Sequence, residues 1–197
     1  MFSNYPKIVK LKDGRKVSIH PMEKSDGKAL REYFSKLRPE DKLFMRDDVS
    51  RPEVVQKMID DIDYEYTVPL VAVFEGEIVG VSSIHRNRHS WDSHVGHIRV
   101  SAAPKFQGSG LGYNLTREIF VIAQSMHIDI IIAEMPSTQE RAVSVFEKLG
   151  FQKAATFKKH VKDKYGNYLD LVVMRVDVME IMDKMLQTIR EWEDKGG

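Results

Sequence analysis

Along this chain short apolar runs alternate with polar breaks, and helical spacing takes over in five places. Lys7 to Leu11 and Lys16 to His20 are β-like runs flanking Asp13-Gly14, a pair suited to a hairpin turn that needs positive φ. Ser25 and Asp26 can cap a helix carrying Leu30, Tyr33, Phe34 and Leu37, and Pro39 is expected to end it. Pro52 opens a second helix with Val54, Val55, Met58, Ile59 and Ile62. Pro69 to Phe74 and Ile78 to Ile84 form a hairpin around Glu75-Gly76-Glu77, followed by a polar loop from Arg86 to Asp92. Val95 to Ala102 is the next strand. It runs into a glycine-rich turn and a helix from about Leu111 to Met126.

Asp129 to Met135 is a strongly apolar strand, and the helix from Thr138 to Leu149 stops at Gly150, which tolerates the left-handed conformation at a helix end. Phe157 to Val161 and Tyr168 to Val176 then pair across Lys164-Tyr165-Gly166-Asn167. The order ββααβββαβαββ predicts an α+β domain built on one mixed sheet. From Val178 onward, Ile181, Met182, Met185, Leu186, Ile189 and Trp192 share one stripe, so residues 177–197 are expected to be an amphipathic helix appended to a domain spanning 1–176.

Composition narrows the chemistry. A chain of 197 residues, 42% hydrophobic and 30% charged, is large enough to bury a core. Thirty basic residues against 29 acidic leave no overall field to draw the protein to nucleic acid or to an anionic membrane. The absence of cysteine removes disulfides, thiolate metal sites and thiol nucleophiles. The opening residues lack an apolar signal core and no apolar run approaches the length of a bilayer span, so a cytoplasmic location is expected.

The segment Gln107-Gly108-Ser109-Gly110-Leu111-Gly112 lets backbone N–H groups converge at the start of a helix, a geometry that suits a phosphate. Its spacing is neither that of a dinucleotide fingerprint nor that of a nucleoside triphosphatase loop. From Ala102 to Gly112 the sequence resembles the V-x-P-x-x-Q/R-G-x-G-x-G/A signature of the GCN5-related N-acetyltransferases, with Ala102 at the Val position. Gln139 to Phe151 resembles the second signature, N-x-x-A-x-x-x-Y-E-K-x-G-F, and the likeness covers about residues 7–176. The opening from Leu11 to Met22 also looks like the acetyltransferase domains of bacterial protein-acetylating enzymes. That resemblance implies a mixed, mostly antiparallel central sheet flanked by helices, and acetyl-coenzyme A as cofactor. It implies that the amides of Gln107, Gly108, Ser109, Gly110, Leu111 and Gly112 hold the pyrophosphate, and that the backbone of Val100, Ser101 and Ala102 pairs with the pantetheine arm. Gln139 stands where the family has Asn and Phe146 where it has Tyr, both near the thioester; Phe146 removes the acid that often protonates the departing thiolate. A thiol with a pKa of about 8.5 tolerates that loss.

An amine acceptor is mostly protonated at neutral pH and must lose a proton before attack. Gly96 occupies the position that carries a glutamate in several relatives. Glu134, near the end of an apolar strand, is one candidate base, since burial would raise its pKa toward a useful range. His97, with His94 on the strand entering the cofactor turn, is the other. His85, His89, His94 and His97 invite a metal reading, but their spacing completes no recognised pattern, and no metal is expected. The loop Arg86 to Asp92 and Tyr64, Glu65 and Tyr66 are candidate acceptor contacts. The sequence therefore points to direct acetyl transfer to a primary amine, either a protein lysine or N-terminus or a small molecule. The rival reading is a non-catalytic acyl-coenzyme A-binding module, and the terminal helix offers a face for a homodimer.

Overall fold

The computed structural model describes residues 2–42, 45, 47–163, 165–181 and 183. The first hairpin pairs β1 (Lys7–Lys10) with β2 (Lys16–Pro21). A short 3₁₀ turn then leads into α1 (Gly27–Lys36). Leu37 already closes α1. Pro39 opens a one-turn helix, α2 (Pro39–Lys42), because a first-turn position does not need the N–H that proline lacks. After α3 (Pro52–Asp60) come β3 (Thr67–Phe74), β4 (Glu77–Arg86) and β5 (Val95–Ala102). A further 3₁₀ turn, Pro104–Phe106, separates β5 from the glycine turn, where the sequence suggested direct continuity. α4 (Leu111–Ser125), β6 (Ile130–Pro136), α5 (Glu140–Lys148), β7 (Gln152–Lys162) and β8 (Tyr168–Asp177) complete the order.

All eight strands join one sheet in the order β1-β2-β3-β4-β5-β6-β8-β7. Every pair is antiparallel except β5 with β6. Alternation along the strands serves two cores. On one face Leu70, Ile84, Ile98, Ile131, Ala133 and Met135 bury against Leu111, Leu115, Ile119 and Ile122 of α4, joined by Phe146 of α5. On the other face, over β3 and β4, Leu30, Tyr33 and Phe34 of α1 meet Val55 and Ile59 of α3. Close approach of α4 depends on missing side chains beneath it. A Cβ on Gly80 would lie 2.9 Å from Leu111 Cδ2 and 3.0 Å from Leu115 Cδ1.

Val178–Ile181 form a helical turn with Val178 and Ile181 buried in the α4-side core, Ile181 packing against Gly150. The rest of the expected terminal helix, including Met182, Met185, Leu186, Ile189 and Trp192, lies outside the described side chains.

Candidate functional site

The parallel pair β5–β6 is short. Its register runs from Val95 with Ile130 to Ile98 with Ala133 and stops there. Beyond that point Arg99 to Ala102 stay paired to β4, through Ser83, Ser82, Val81 and Gly80. Glu134 to Pro136 stay paired to β8, through Val173, Val172 and Leu171. The two strands diverge and leave facing backbone edges without a ladder between them. Such edges are strong hydrogen-bonding templates for an extended ligand that carries amides. Val100, Ser101 and Ala102 lie on the β5 side of this gap.

At the same end of the sheet, α4 starts on Gly110, which sits at φ +88° with no side-chain cap. Gly108, at φ +80°, makes the preceding bend. The turn's amides divide into two sets. Gln107 N–H donates to Pro104 O at 3.3 Å and Ser109 N–H to Phe106 O at 3.3 Å, so these two hold the turn's own shape. Among the described residues nothing accepts from the N–H groups of Gly108, Gly110, Leu111 or Gly112. Four donors at a helix start, reinforced by the helix dipole, make an anion cradle. Side chains fix its rim: buried Ser109 donates through Oγ to Phe106 O at 2.6 Å, and the Gln107 amide lies between Arg38 and Asp41 at 3.3 and 3.4 Å.

The candidate catalytic groups lie on the sheet face opposite α4. Glu134 is exposed rather than buried, and its carboxylate meets the Arg99 guanidinium at 3.5 Å across the mouth of the gap. The burial that would have tuned it is therefore not present, and pairing with a neighbouring base is. His97 is half-buried on the same face and stands opposite His85 of β4. His85 is held at both ring nitrogens, by Thr67 Oγ1 at 3.0 Å and Ser83 Oγ at 2.8 Å. Ser83 in turn is the register partner of Arg99. A row of polar side chains, Thr67, His85, Ser83, Arg99 and Glu134, thus crosses four strands to the gap. The sequence reading missed Thr67, Ser83 and Arg99, because only the strand register brings them together. Ser101 shares a 2.7 Å hydrogen bond with Tyr33 of α1, whose hydroxyl pKa burial pushes well up, so the phenol stays protonated.

Gly96 faces the other way. A Cβ there would lie 2.8 Å from Ile84 Cδ1, so the core fills the space and no carboxylate at this position could reach the gap. Phe146 is equally committed: it is buried, with its ring edge-on to Phe151 at 4.8 Å. Gln139 is the half-buried N-cap residue of α5, and its side chain makes no cap hydrogen bond.

Tyr64, Glu65 and the start of the Arg86 loop are not brought to the gap. Tyr64, Glu65, Arg86 and Arg88 line a cavity of about 630 Å³ with Phe2, Met126 and His127, at the C-terminal end of α4. The helix's fifteen residues put that end roughly 22 Å from the glycine turn. Tyr64 packs on Phe2 and donates to Met22 O, Glu65 is ion-paired to Arg88, and the Tyr66 ring meets that of His89 at 6.1 Å. Among the described residues no group of three or more His, Asp or Glu is placed to hold a metal ion.

The model of the acetyltransferase (GNAT) family matches residues 29–151. Solved structures share the fold. The GNAT domain of S. lividans PAT superimposes with a TM-score of 0.75 at 18% identity, over 89% of this chain and 98% of its own. The ribosomal-protein-S5-alanine acetyltransferase of Vibrio fischeri gives 0.72 at 20% identity, over 82% and 92%. Salmonella typhimurium yncA, solved with its cofactor acetyl-CoA, gives 0.71 at 21% identity, over 82% and 94%. No curated protein matches the chain.

Proposed function

Because this chain belongs to the acetyltransferase (GNAT) family and is an acyl-coenzyme A-dependent N-acetyltransferase, we propose that it moves acetyl from acetyl-coenzyme A directly to a primary amine at the β5–β6 gap. The observation that carries this reading is a coincidence in space: four unpartnered amides at the head of α4 stand beside two unpaired strand edges. A diphosphate at the first and an amide-bearing arm along the second would lead the thioester to the gap.

In the reading we favour, the Gly108, Gly110, Leu111 and Gly112 amides hold the pyrophosphate, while the edge from Val100 to Ala102 accepts and donates along the pantetheine. The amine nitrogen then adds to the thioester carbon, whose oxygen gains charge steadied by backbone donors. The C–S bond breaks and coenzyme A departs as thiolate. With Phe146 in the core, no tyrosine at that position protonates it, and a thiol of pKa about 8.5 leaves without full protonation. The amine's proton passes to Glu134, oriented by Arg99, or to His97. Acceptors to try are protein N-termini, such as an alanine-initiated ribosomal peptide, together with lysine peptides and small amines.

Gly112→Asp tests the cofactor site. Gly112 lies within the first turn of α4 and its φ is not positive, so an aspartate there favours the helix while placing a carboxylate among the amides. Calorimetry should find acetyl-coenzyme A binding in the wild type and at least tenfold weaker binding in the variant. Equal binding by the two proteins would remove the turn from the cofactor site. Thiol release that depends on an added amine then tests transfer.

A further inference from the structure

The β1–β2 hairpin turn is fastened to the glycine turn. Lys12 N–H donates to Ser109 O at 2.9 Å, while the Arg15 guanidinium lies 3.7 Å above the Phe106 ring and donates to Lys105 O at 3.0 Å. Leu11, one residue earlier, is buried in the core. Past this anchor the Lys12 side chain runs along Gly110: its Cγ, Cδ and Cε lie 3.4, 3.7 and 3.6 Å from where a Cβ of Gly110 would stand. One further bond of about 1.5 Å leads to Nζ, so the ammonium is held within about 5 Å of that point. Arg15 is engaged by Asp13, at 2.6 Å. Lys12 has no ion-pair or hydrogen-bond partner for its side chain among the described residues.

We infer that Lys12 is a phosphate ligand of the cofactor, supplied from outside the glycine turn, so that cofactor affinity depends on the N-terminal hairpin. The inference rests on the cofactor reading above. Its reason is charge: four amides offer partial positive charge to a diphosphate carrying two formal negative charges, and a full cation beside them completes the neutralisation. The hairpin supplies the rigidity. Lys12's backbone is tied to the turn whose anion its side chain would meet, so only the exposed side chain has to order on binding.

The experiment compares wild type, Lys12→Met and Lys12→Arg, each titrated with acetyl-coenzyme A at low and high salt, with thermal midpoints of the unliganded proteins as a check on folding. Lys12→Met keeps the apolar stem and removes the charge. It should bind roughly five- to tenfold more weakly at low salt, the deficit should shrink as salt rises, and Lys12→Arg should bind close to wild type. Binding of Lys12→Met within twofold of wild type at low salt overturns the inference. So does a deficit that salt does not change and arginine does not relieve, which would mark a packing role. Absence of binding by the wild type overturns it together with the cofactor reading, and is told apart because all three proteins then behave alike.

Discussion

At Gly96 the sequence already offers no base, and the surrounding core gives a second reason why none could act from there. Aligned with relatives, it stands where a base could be; in space its missing side chain faces Ile84 and Ile128, in the core under α4. In the proposed reaction a side-chain base would come from the opposite face, where Glu134 and His97 lie. If Glu134 takes the proton, Glu134→Gln should lower kcat by about a hundredfold or more while leaving the dissociation constant for acetyl-coenzyme A unchanged. His97→Asn should then cost little. The reverse ranking in the same assay would move the role to His97, held opposite His85 across the β4–β5 ladder. Ser82 makes a separate point about stability. Its hydroxyl is buried with no hydrogen-bond partner among the described residues, so Ser82→Ala should leave stability unchanged or raise it by about 1 kcal/mol in denaturant unfolding. A loss of more than 1 kcal/mol would mean that the hydroxyl has a partner in solution.

At the scale of elements, sequence patterning served best where alternation is unbroken. β5 was expected from Val95 to Ala102 and is found there, and α3 begins at Pro52 as its proline requires. β7 was expected only from Phe157 to Val161 but runs from Gln152 to Lys162. The register slips between Lys153 and Ala155 and again between Phe157 and Val161, so the period of two that marks a strand is destroyed, and the edge position leaves its residues exposed and polar. The second slip has a builder that periodicity could not show. Asp170 accepts from Lys158 Nζ at 2.7 Å and from Lys159 N–H at 2.9 Å, with Lys159 at φ +52°. The Lys158 hydrogen bond, followed by that of the Lys159 amide, holds the Asp170 carboxyl below its ordinary value, and the Asn167 side chain does the same for Asp163 at the hairpin tip. A depressed folded pKa stabilises the fold fully above the unfolded value of 3.8 and loses that effect as pH falls through the lowered one. Asp170→Asn should therefore lower the thermal midpoint at neutral pH, and its difference from wild type should fade below about pH 4. A difference that persists at the lowest pH would assign the bulge to packing instead.

For the molecule as a whole, the glycine turn was legible as a turn because it is local: six consecutive residues, Gln107 to Gly112, build it. The gap was not, because divergence of β5 from β6 is a relation between strands some thirty residues apart, which no contiguous segment encodes. The division of the turn's amides, the Arg99–Glu134 pair and the Lys12 contact are relations of the same kind. The same geometry says how the cofactor should act on the entire fold. The sheet is continuous through Ile98 and Ala133 and split beyond them, so a ligand lying in the split would act as an inserted strand joining β1–β5 to β6–β8. Binding at about a hundred times the dissociation constant stabilises the folded state by about 2.7 kcal/mol. For a chain of this size that corresponds to a rise of roughly 5–10 °C in the thermal midpoint. Amide exchange should slow along Arg99–Ala102, Glu134–Pro136 and Gly108–Gly112. It should change little around Ser125–His127, where the 630 Å³ cavity opens at the far end of α4. Protection confined to that cavity would instead make it the cofactor pocket, and the unpaired strand edges would then need another occupant.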